Sequence, residues 1–358
     1  MKIDKYTSER LMVLRFPLIV GVVYGHSYWP EIFQSNAVMG IDQASFFSDF
    51  IRKLISQEIA RVTVPLFFLM SGYFFFLDFS WSIENFKNKI NDRIKTLLVP
   101  FLFWNILTLS ILALAQTIPA TQVFFSGKNA PIATFGGYDY LNAIFGMDGY
   151  PISYQFWFIR DLMIMVLVSP ALYLGIKKMP KIVFLVIFIL WFFNCWKFYI
   201  PAKLAVVFFF AGAYFAMMNI SLFALDRFCV VILFFYWMSL FIDVFTKNCA
   251  LNFYVHNINL LLGLVSALYL SKSIVSIKFM KKALLWAGTC SFFVFAAHEP
   301  LLTIVKKIIY KLVSPDTDVL VLFLYFTIPI ITIALSLLFY IILKSIAPRF
   351  LKIISGGR

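Results

Sequence analysis

Apolar segments long enough to cross a membrane recur along the whole chain, and they constrain its fold more than any other feature. A helix needs about 20 mainly apolar residues to span the hydrocarbon core of a bilayer. Ten segments fit, and two long loops are predicted at residues 30–60 and 117–155, the second of which shows no helical apolar period. The segments lie near residues 11–29, 61–79, 96–116, 156–176, 181–198, 202–219, 224–245, 255–272, 283–306 and 319–344. The sequence therefore predicts an all-α, polytopic membrane protein with ten transmembrane helices.

The composition agrees with a membrane protein and argues against a nucleic-acid partner. Hydrophobic residues make up 62% of the 358 residues and charged residues 13%, whereas soluble domains carry roughly 25% charged residues. The net charge is +14, but the basic residues lie mostly in short connections between apolar segments, where they orient a membrane protein. The four cysteines show no paired or metal-binding spacing, so neither a disulfide nor a metal site is predicted.

The distribution of basic residues predicts the orientation. If the N-terminus is cytoplasmic, the inner connections hold 19 lysines and arginines and the outer connections hold 9. Inner connections of membrane proteins are enriched in these residues, so we predict that both termini are cytoplasmic. A cluster on the outer side, Lys306, Lys307 and Lys311, runs against this rule.

The first span, "LRFPLIVGVVYGH", carries two ionisable residues that an anchor does not need. Arg15 lies near its cytoplasmic end, and His26 follows eleven residues later, about 16 Å along a helix. Ionisable residues inside spans are costly and are usually functional. A simpler role stays open for each: Arg15 could extend its guanidinium to the inner interface, and His26 could be a hydrogen-bonded structural residue.

Ionisable residues also lie in or next to four later spans. Arg61 opens "RVTVPLFFLMSGYFFF", in which the Ser-Gly pair favours close helix packing. Arg93 and Lys95 lie at the cytoplasmic end of the third span, where basic residues commonly flank membrane helices. The other cases occur in two stretches, "YQFWFIRDL" with Trp157, Arg160 and Asp161, and "FFVFAAHEPLL" with His298 and Glu299.

The simpler interpretations of these last two stretches also stay open. Trp157 could be an interfacial aromatic residue, and His298 and Glu299 could pair locally and only brace helices. Pro300 disfavours α-helical geometry at Glu299, so we predict a kink there. His26 and His298 lie at equal distances from the inner ends of their spans. We therefore predict that they share one outward-facing polar pocket with Glu299, Arg160 and Asp161.

Taken together and in this order, these stretches resemble those of membrane-bound acyltransferase family 3, the bacterial sugar O-acyltransferases. Arg15 and His26, with ten residues between them, match the Arg-X10-His signature of the family's first span. The stretches "VPLFFLMSGYFF", "RIK…LLVPFLFW", "WFIRDL" and "FFVFAAHEPLL" follow in the family's order, and the resemblance covers nearly the whole chain. One position departs: some members have a second arginine where this chain has Lys95, which keeps the charge but lacks the bidentate fork of arginine.

The resemblance implies an enzyme that transfers an acyl group, usually acetyl from acetyl-CoA, to a hydroxyl of a surface glycan or its lipid-linked precursor. Acetyl-CoA is then a co-substrate, no cofactor is bound permanently, and no metal is needed. The partners implied are acyl-CoA, the glycan acceptor and membrane lipid, and a homo-oligomer is possible. We expect a single acyltransferase domain over residues 1–358, without a fused soluble domain, in the bacterial cytoplasmic membrane.

Roles for the singled-out residues follow from the resemblance and from their chemistry. A sugar hydroxyl needs a general base, and neutral imidazole suits this near pH 7, so His26 is expected to be the base. Glu299 or Asp161 would orient it. The donor-binding residues, expected to contact the phosphates of CoA, are Arg15, Arg93 and Lys95. The acceptor-binding residues are expected to be Arg61, Trp157, Arg160 and His298.

One other function class fits the same residues. A transporter or flippase of a lipid-linked glycan would also keep buried charges, which would line its substrate path. The two-half symmetry that is common in transporters is not visible in this sequence. Transfer through an acyl-His26 intermediate, instead of direct attack on the thioester, also stays open.

Overall fold

The computed structural model describes residues 4–28, 46–77, 81–125, 130–247, 249–313, 315 and 317–357. Over these residues the regular secondary structure is helical, and no β-strand is found. The fifteen α-helices are α1 Lys5–Gly25, α2 Phe46–Lys53, α3 Thr63–Phe76, α4 Ile83–Arg93, α5 Val99–Thr117, α6 Gly137–Phe145, α7 Trp157–Leu167, α8 Ser169–Lys178, α9 Pro180–Phe192, α10 Lys203–Met217, α11 Cys229–Phe245, α12 Asn252–Ser276, α13 Lys278–Leu312, α14 Asp318–Ile346 and α15 Pro348–Ile354.

Several of these helices are long and apolar enough to cross a membrane. Among the described residues five continuous helices qualify, namely Phe47–Phe76, Ile83–Thr117, Asp226–Phe245, Asn252–Ser276 and Asp318–Ile346. A sixth candidate is the pair Tyr154–Leu167 and Ser169–Lys178, which is bent by 57°. Pro170 follows the break, and a proline inside a continuous helix would remove a backbone hydrogen bond. The chain is therefore an all-helical protein with five or six candidate membrane spans.

The prediction of a loop over residues 30–60 is wrong for its second half; residues 30–45 lie outside the described part. Residues 46–62 form α2, the π-helical turn Leu54–Ile59 and the 3-10 turn Ala60–Val62, which lead directly into α3. Polar residues lower the hydropathy of this stretch, but Ser48, Arg52, Ser56 and Glu58 are all buried. Because these side chains have partners inside the protein, the segment forms a helix despite its polarity.

The second long connection, predicted to lack a helix, contains one. Helix α6 lies within residues 117–155, and Asp139 stabilises its first turn by accepting a hydrogen bond from the backbone N–H of Gly136 at 2.8 Å. The hydroxyl of Tyr138 donates to Asp148 at 2.8 Å, and this hydrogen bond raises the pKa of the exposed Tyr138. Short-range capping thus stabilises a helix that is too short to show an apolar period.

Close packing of α3 against α10 dominates the first of two compact units, which comprises the described residues of 4–25, 53–91 and 161–291. A Cβ atom added to Gly72 would lie 2.0 Å from the carbonyl oxygen of Phe209, and one added to Gly212 would lie 2.0 Å from that of Leu69. Only glycine permits this approach, as the Ser-Gly pair in the sequence indicated.

A buried arginine joins three helices of the same unit. Arg10 of α1 is 2% exposed and donates to both carboxylate oxygens of Asp226, at 2.6 and 3.3 Å. It also donates to the hydroxyl of Ser271 at 2.9 Å and to the carbonyl of Leu268 at 2.7 Å, both in α12. The start of α1, the residues that precede α11 and the end of α12 therefore lie together.

The second unit comprises the described residues of 26–52, 92–160 and 292–357. Trp104 of α5 donates from its indole nitrogen to the carbonyl of Ile354 at 3.0 Å, and Ser153 binds Thr108 of α5 at 2.6 Å. Helix α13 is kinked at Glu299, whose backbone is extended (φ −115°, ψ 134°). This confirms the predicted kink, since proline disfavours helical geometry at the residue before it.

Candidate functional site

The kink in α13 places His298 at the centre of a polar cluster in the second unit. His298 is fully buried, and its Nδ1 lies 2.6 Å from the carbonyl oxygen of Phe295 on the preceding turn. A carbonyl oxygen only accepts hydrogen bonds, so Nδ1 carries the proton. The orientation and the tautomer of this ring are therefore set by its own helix.

His26 lies against His298, as the equal depths of the two residues predicted. The ring centroids are 5.5 Å apart and the planes differ by 25°, which is a stacked arrangement. Tyr154, in the 3-10 turn that precedes α7, presents its ring to His26 edge-on at 4.9 Å. His26 is half-buried, so it borders the more accessible side of this cluster.

Glu299 is held through both of its carboxylate oxygens. The hydroxyl of Tyr154 donates to Oε1 at 3.0 Å, and the hydroxyl of Thr303 donates to Oε2 at 2.8 Å. The amide of Gln155 donates to the backbone carbonyls of Ala296 and Glu299, at 3.3 and 3.2 Å. These carbonyls lie at the kink, where the regular helical hydrogen bonds are interrupted. His298 and Glu299 thus bind different partners, and Tyr154 connects Glu299 to His26.

Lys306 also belongs to this cluster, which hydropathy did not predict. It is 4% exposed, and its ammonium group interacts electrostatically with the carboxylate of Glu299. Its ammonium group donates to the carbonyl of Ser27, the residue after His26, at 3.4 Å. The sequence assigns Lys306 to an outer connection, but its side chain is buried and contacts the backbone of the residue that follows His26.

Arg160, expected to bind the acceptor, anchors the loop that follows α6. Its Nη1 donates to the carbonyl oxygens of Gly146 and Gly149, at 2.5 and 2.7 Å, and the residue is 7% exposed. Trp157 begins α7 and is half-buried. These contacts give Arg160 a structural task, and acceptor binding by Arg160 and Trp157 stays a prediction.

Asp161 and Arg61 belong to the first unit. The fully buried carboxylate of Asp161 accepts a hydrogen bond from the backbone N–H of Ala202 at 2.7 Å, directly before α10 begins at Lys203. A carboxylate at this place stabilises the helix start. Arg61 is exposed and lies in the 3-10 turn before α3. Their roles in the reaction stay predictions.

The residues expected to bind the donor are described in different units. Arg15 is half-buried in the middle of α1, in the first unit. In the second unit, Arg93 is the half-buried last residue of α4, and Lys95 is exposed in the π-helical turn Ile94–Leu98. CoA binding by each of these residues stays a prediction.

A second cluster of buried charges lies in the first unit, and the sequence did not indicate it. Glu58, Asp243 and His256 place one ligand atom each within 4.8 Å of one another, an arrangement that could hold a metal ion. The carboxylate oxygens already have donors, however. Nδ2 of Asn259 binds Glu58 and Asp243, at 3.3 and 3.2 Å, and Lys247 forms ion pairs with both acids. The cluster is thus compensated by protein groups.

Comparison with known proteins gives one family and one relative. A protein-family model described as an acyltransferase domain, that of acyltransferase family 3, matches residues 9–341. The succinoglycan biosynthesis protein ExoH of Rhizobium meliloti (strain 1021) is 24% identical over 365 residues, which cover 99% of this chain and 94% of that protein. No solved structure matches the chain.

Proposed function

Because the chain belongs to acyltransferase family 3, we propose that it transfers an acyl group from acyl-CoA to a hydroxyl of a cell-surface glycan or its lipid-linked precursor. The name of the similar protein, which refers to the biosynthesis of succinoglycan, supports a glycan acceptor. We propose acetyl as the acyl group and acetyl-CoA as the co-substrate, as the resemblance of the spans implies.

The observation that carries this proposal is the pair of imidazoles beside a held carboxylate. His26 stacks on His298, and Tyr154 links His26 to Glu299. Acyl transfer to a sugar hydroxyl needs a group that removes the hydroxyl proton as the oxygen attacks, and imidazole performs this task near neutral pH. In our proposal His26 is this base. Glu299 orients it through Tyr154, so of the two candidate carboxylates we favour Glu299 over Asp161.

The proposed reaction proceeds by direct attack. The acceptor hydroxyl gives its proton to His26 while its oxygen forms a bond to the thioester carbonyl carbon. The bond between that carbon and sulfur then breaks, and the CoA thiolate takes the proton back from His26. The products are an O-acyl sugar and CoA thiol. The buried Lys306 binds the carbonyl of Ser27, the residue after His26, and its positive charge favours negative charge nearby.

The donor is proposed to bind from the cytoplasm. CoA is a polyanion, and arginine binds phosphate through paired donors. Arg15, Arg93 and Lys95 are the residues that the family resemblance assigns to this task. Replacing any one of them by alanine should raise the KM for acyl-CoA more than it lowers kcat, because a phosphate contact is made equally in the ground state and in the transition state.

The acceptor is proposed to carry a lipid chain. An apolar cavity of about 390 Å³ borders the α13 kink, and its lining includes Ala297 and Pro300, which flank His298 and Glu299. Trp104, Phe293 and Phe339 line the same cavity. A hydrocarbon chain would fit this surface, while its sugar headgroup would reach the imidazoles. We further propose ten spans, both termini in the cytoplasm and a location in the bacterial cytoplasmic membrane.

Transfer of a radioactive acetyl group tests the function. Purified protein in detergent or lipid vesicles is incubated with acetyl-CoA, labelled in the acetyl group, and a glycan extract from cells that lack this protein. We expect label in the glycan fraction with the wild-type protein and none with the His26→Ala variant. Label that stays on CoA with the wild-type protein would overturn the proposal. Mass spectrometry of the labelled product identifies the sugar.

A further inference from the structure

One nitrogen atom at the proposed site has no use in the reaction as described above. In the neutral ring of His298, Nδ1 donates to the carbonyl of Phe295, so Nε2 carries the lone pair and can only accept a hydrogen bond. Within the described part of the chain, Nε2 has no hydrogen-bond partner, and the residue is fully buried. A buried acceptor without a donor is unfavourable, so an apolar side chain would be more stable at this position.

The surroundings of His298 show what kind of donor is missing. His26 covers one side of the ring at 5.5 Å. The nearby hydroxyls of Tyr154 and Thr303 both donate to Glu299, so their protons are already used. Among the described residues no donor is assigned to Nε2, and the acceptor of the proposed reaction, which is rich in hydroxyl groups, is a molecule that can supply one.

We propose that Nε2 of His298 accepts a hydrogen bond from a second hydroxyl of the acceptor sugar, next to the one that is acylated. This inference rests on the proposed function. The two stacked imidazoles then contact two hydroxyls of the same sugar. His26 takes the proton of the reacting hydroxyl, and His298 binds the adjacent hydroxyl. The substrate class is thus a sugar with two free adjacent hydroxyls, and a sugar that lacks the second one is a poor acceptor.

Nitrogen NMR tests the hydrogen bond without any change at His298. The chain holds only three histidines, so protein labelled with 15N in the histidine side chains gives three pairs of imidazole signals, which His26→Gln and His256→Gln variants assign to their residues. The probe is the methyl glycoside of the sugar that carries the label in the transfer assay. We expect His298 protonated at Nδ1 in the free protein, and an Nε2 resonance that shifts when the glycoside is added at its KM or above. A proton on Nε2 in the free protein, or an unmoved Nε2 resonance, would overturn the inference.

A cycle of enzyme and substrate changes separates binding from a structural role. The acceptors are this methyl glycoside and its derivatives that each lack one hydroxyl other than the acylated one. With the wild-type enzyme, removal of one adjacent hydroxyl should lower kcat/KM by about 10- to 100-fold. With His298→Phe, which keeps the ring volume and removes Nε2, the same removal should have no further effect. The amide oxygen of His298→Gln can accept a hydrogen bond, so this variant should restore part of the effect that removal of the hydroxyl has on kcat/KM. It replaces the Phe variant in the cycle if that variant fails to fold.

The outcomes of this cycle are distinct. Equal losses for the deoxy acceptor in the wild-type enzyme and in the His298 variants mean that His298 does not bind that hydroxyl, and the inference fails while the proposed function stands. Absence of transfer by the wild-type enzyme contradicts the proposed function itself.

Discussion

At the scale of single residues, the contacts of Glu299 make Tyr154 a sensitive position. Removing its hydroxyl by Tyr154→Phe leaves Oε1 of a buried carboxylate without this donor, and hydrogen bonds to charged groups contribute about 1.5–3 kcal/mol. If Glu299 orients His26 through Tyr154, kcat should fall by roughly 10- to 100-fold. Steady-state acetyl transfer measures the change.

Tyr138 provides a matched control for this substitution. Its hydroxyl also donates to a carboxylate, that of Asp148 at 2.8 Å, but the pair is exposed. Tyr138→Phe should leave kcat within about twofold, because an exposed pair contributes little. Equal effects of the two substitutions would contradict a specific role for Tyr154.

The role of His26 predicts a larger and selective loss. His26→Ala should lower turnover by roughly 10²–10⁴-fold, the range for loss of a general base. His26 is half-buried, so the amount of protein in the membrane should stay near the wild-type level. Turnover is measured by label transfer and abundance by immunoblot. Near-normal turnover in His26→Gln would assign His26 a structural role.

The cluster shows which site residues the sequence could reveal. His26, His298 and Glu299 were accessible to prediction because ionisable residues inside apolar spans stand out. Tyr154 was missed because a tyrosine before a span is commonly an interfacial residue. Lys306 was missed because its burial follows from the α13 kink and its neighbours, which hydropathy does not encode.

At the scale of helices, the contact between α3 and α10 depends on two glycines. Gly72→Ala would bring Cβ to 2.0 Å from the backbone oxygen of Phe209, so the helices would have to separate. Overpacking of this kind costs about 1–3 kcal/mol or more. We expect a lower midpoint of thermal unfolding in detergent, followed by intrinsic fluorescence. Gly137→Ala is the control, because an added Cβ meets nothing within 4 Å there. An unchanged midpoint in Gly72→Ala would contradict this packing.

Helices in apolar segments were easier to predict from the sequence than helices in polar segments. Within the described residues each predicted apolar segment overlaps a helix, but residues 46–60 and the short helix α6 were not expected to be helical. In both regions polar side chains find specific partners, such as Ser48 with Asp318 at 2.9 Å. Apolar periodicity cannot detect a helix that is stabilised by hydrogen bonds of its polar side chains.

At the scale of the whole molecule, contacts inside the first unit agree with the predicted order of spans. Arg10 pairs with Asp226, and Glu9 pairs with Lys281 at 2.6 Å. The predicted topology places all four residues at the cytoplasmic side.

The difference between inner and outer basic residues becomes larger when buried lysines and arginines are left out of the count. Arg10 on the inner side, and Arg52 and Lys306 on the outer side, are buried. Without them, 19 inner and 9 outer basic residues become 18 and 7, which strengthens the predicted orientation.

The exposed cysteines provide natural reporters of this orientation. Cys195 and Cys249 are exposed, whereas Cys229 and Cys290 are buried, and the topology places both exposed thiols outside. A membrane-impermeant maleimide should label the wild-type protein in right-side-out vesicles, and the double variant Cys195→Ser, Cys249→Ser should not react.

A cysteine introduced into this double variant tests the cytoplasmic side. The exposed position Asn88 of α4, changed to cysteine, should react only after the vesicles are opened. Tyr150→Cys, at a 60% exposed position within 117–155, should react without opening and is the control. Labelling at position 88 in sealed vesicles would reverse the orientation and would place Arg93 and Lys95 on the side away from cytoplasmic CoA.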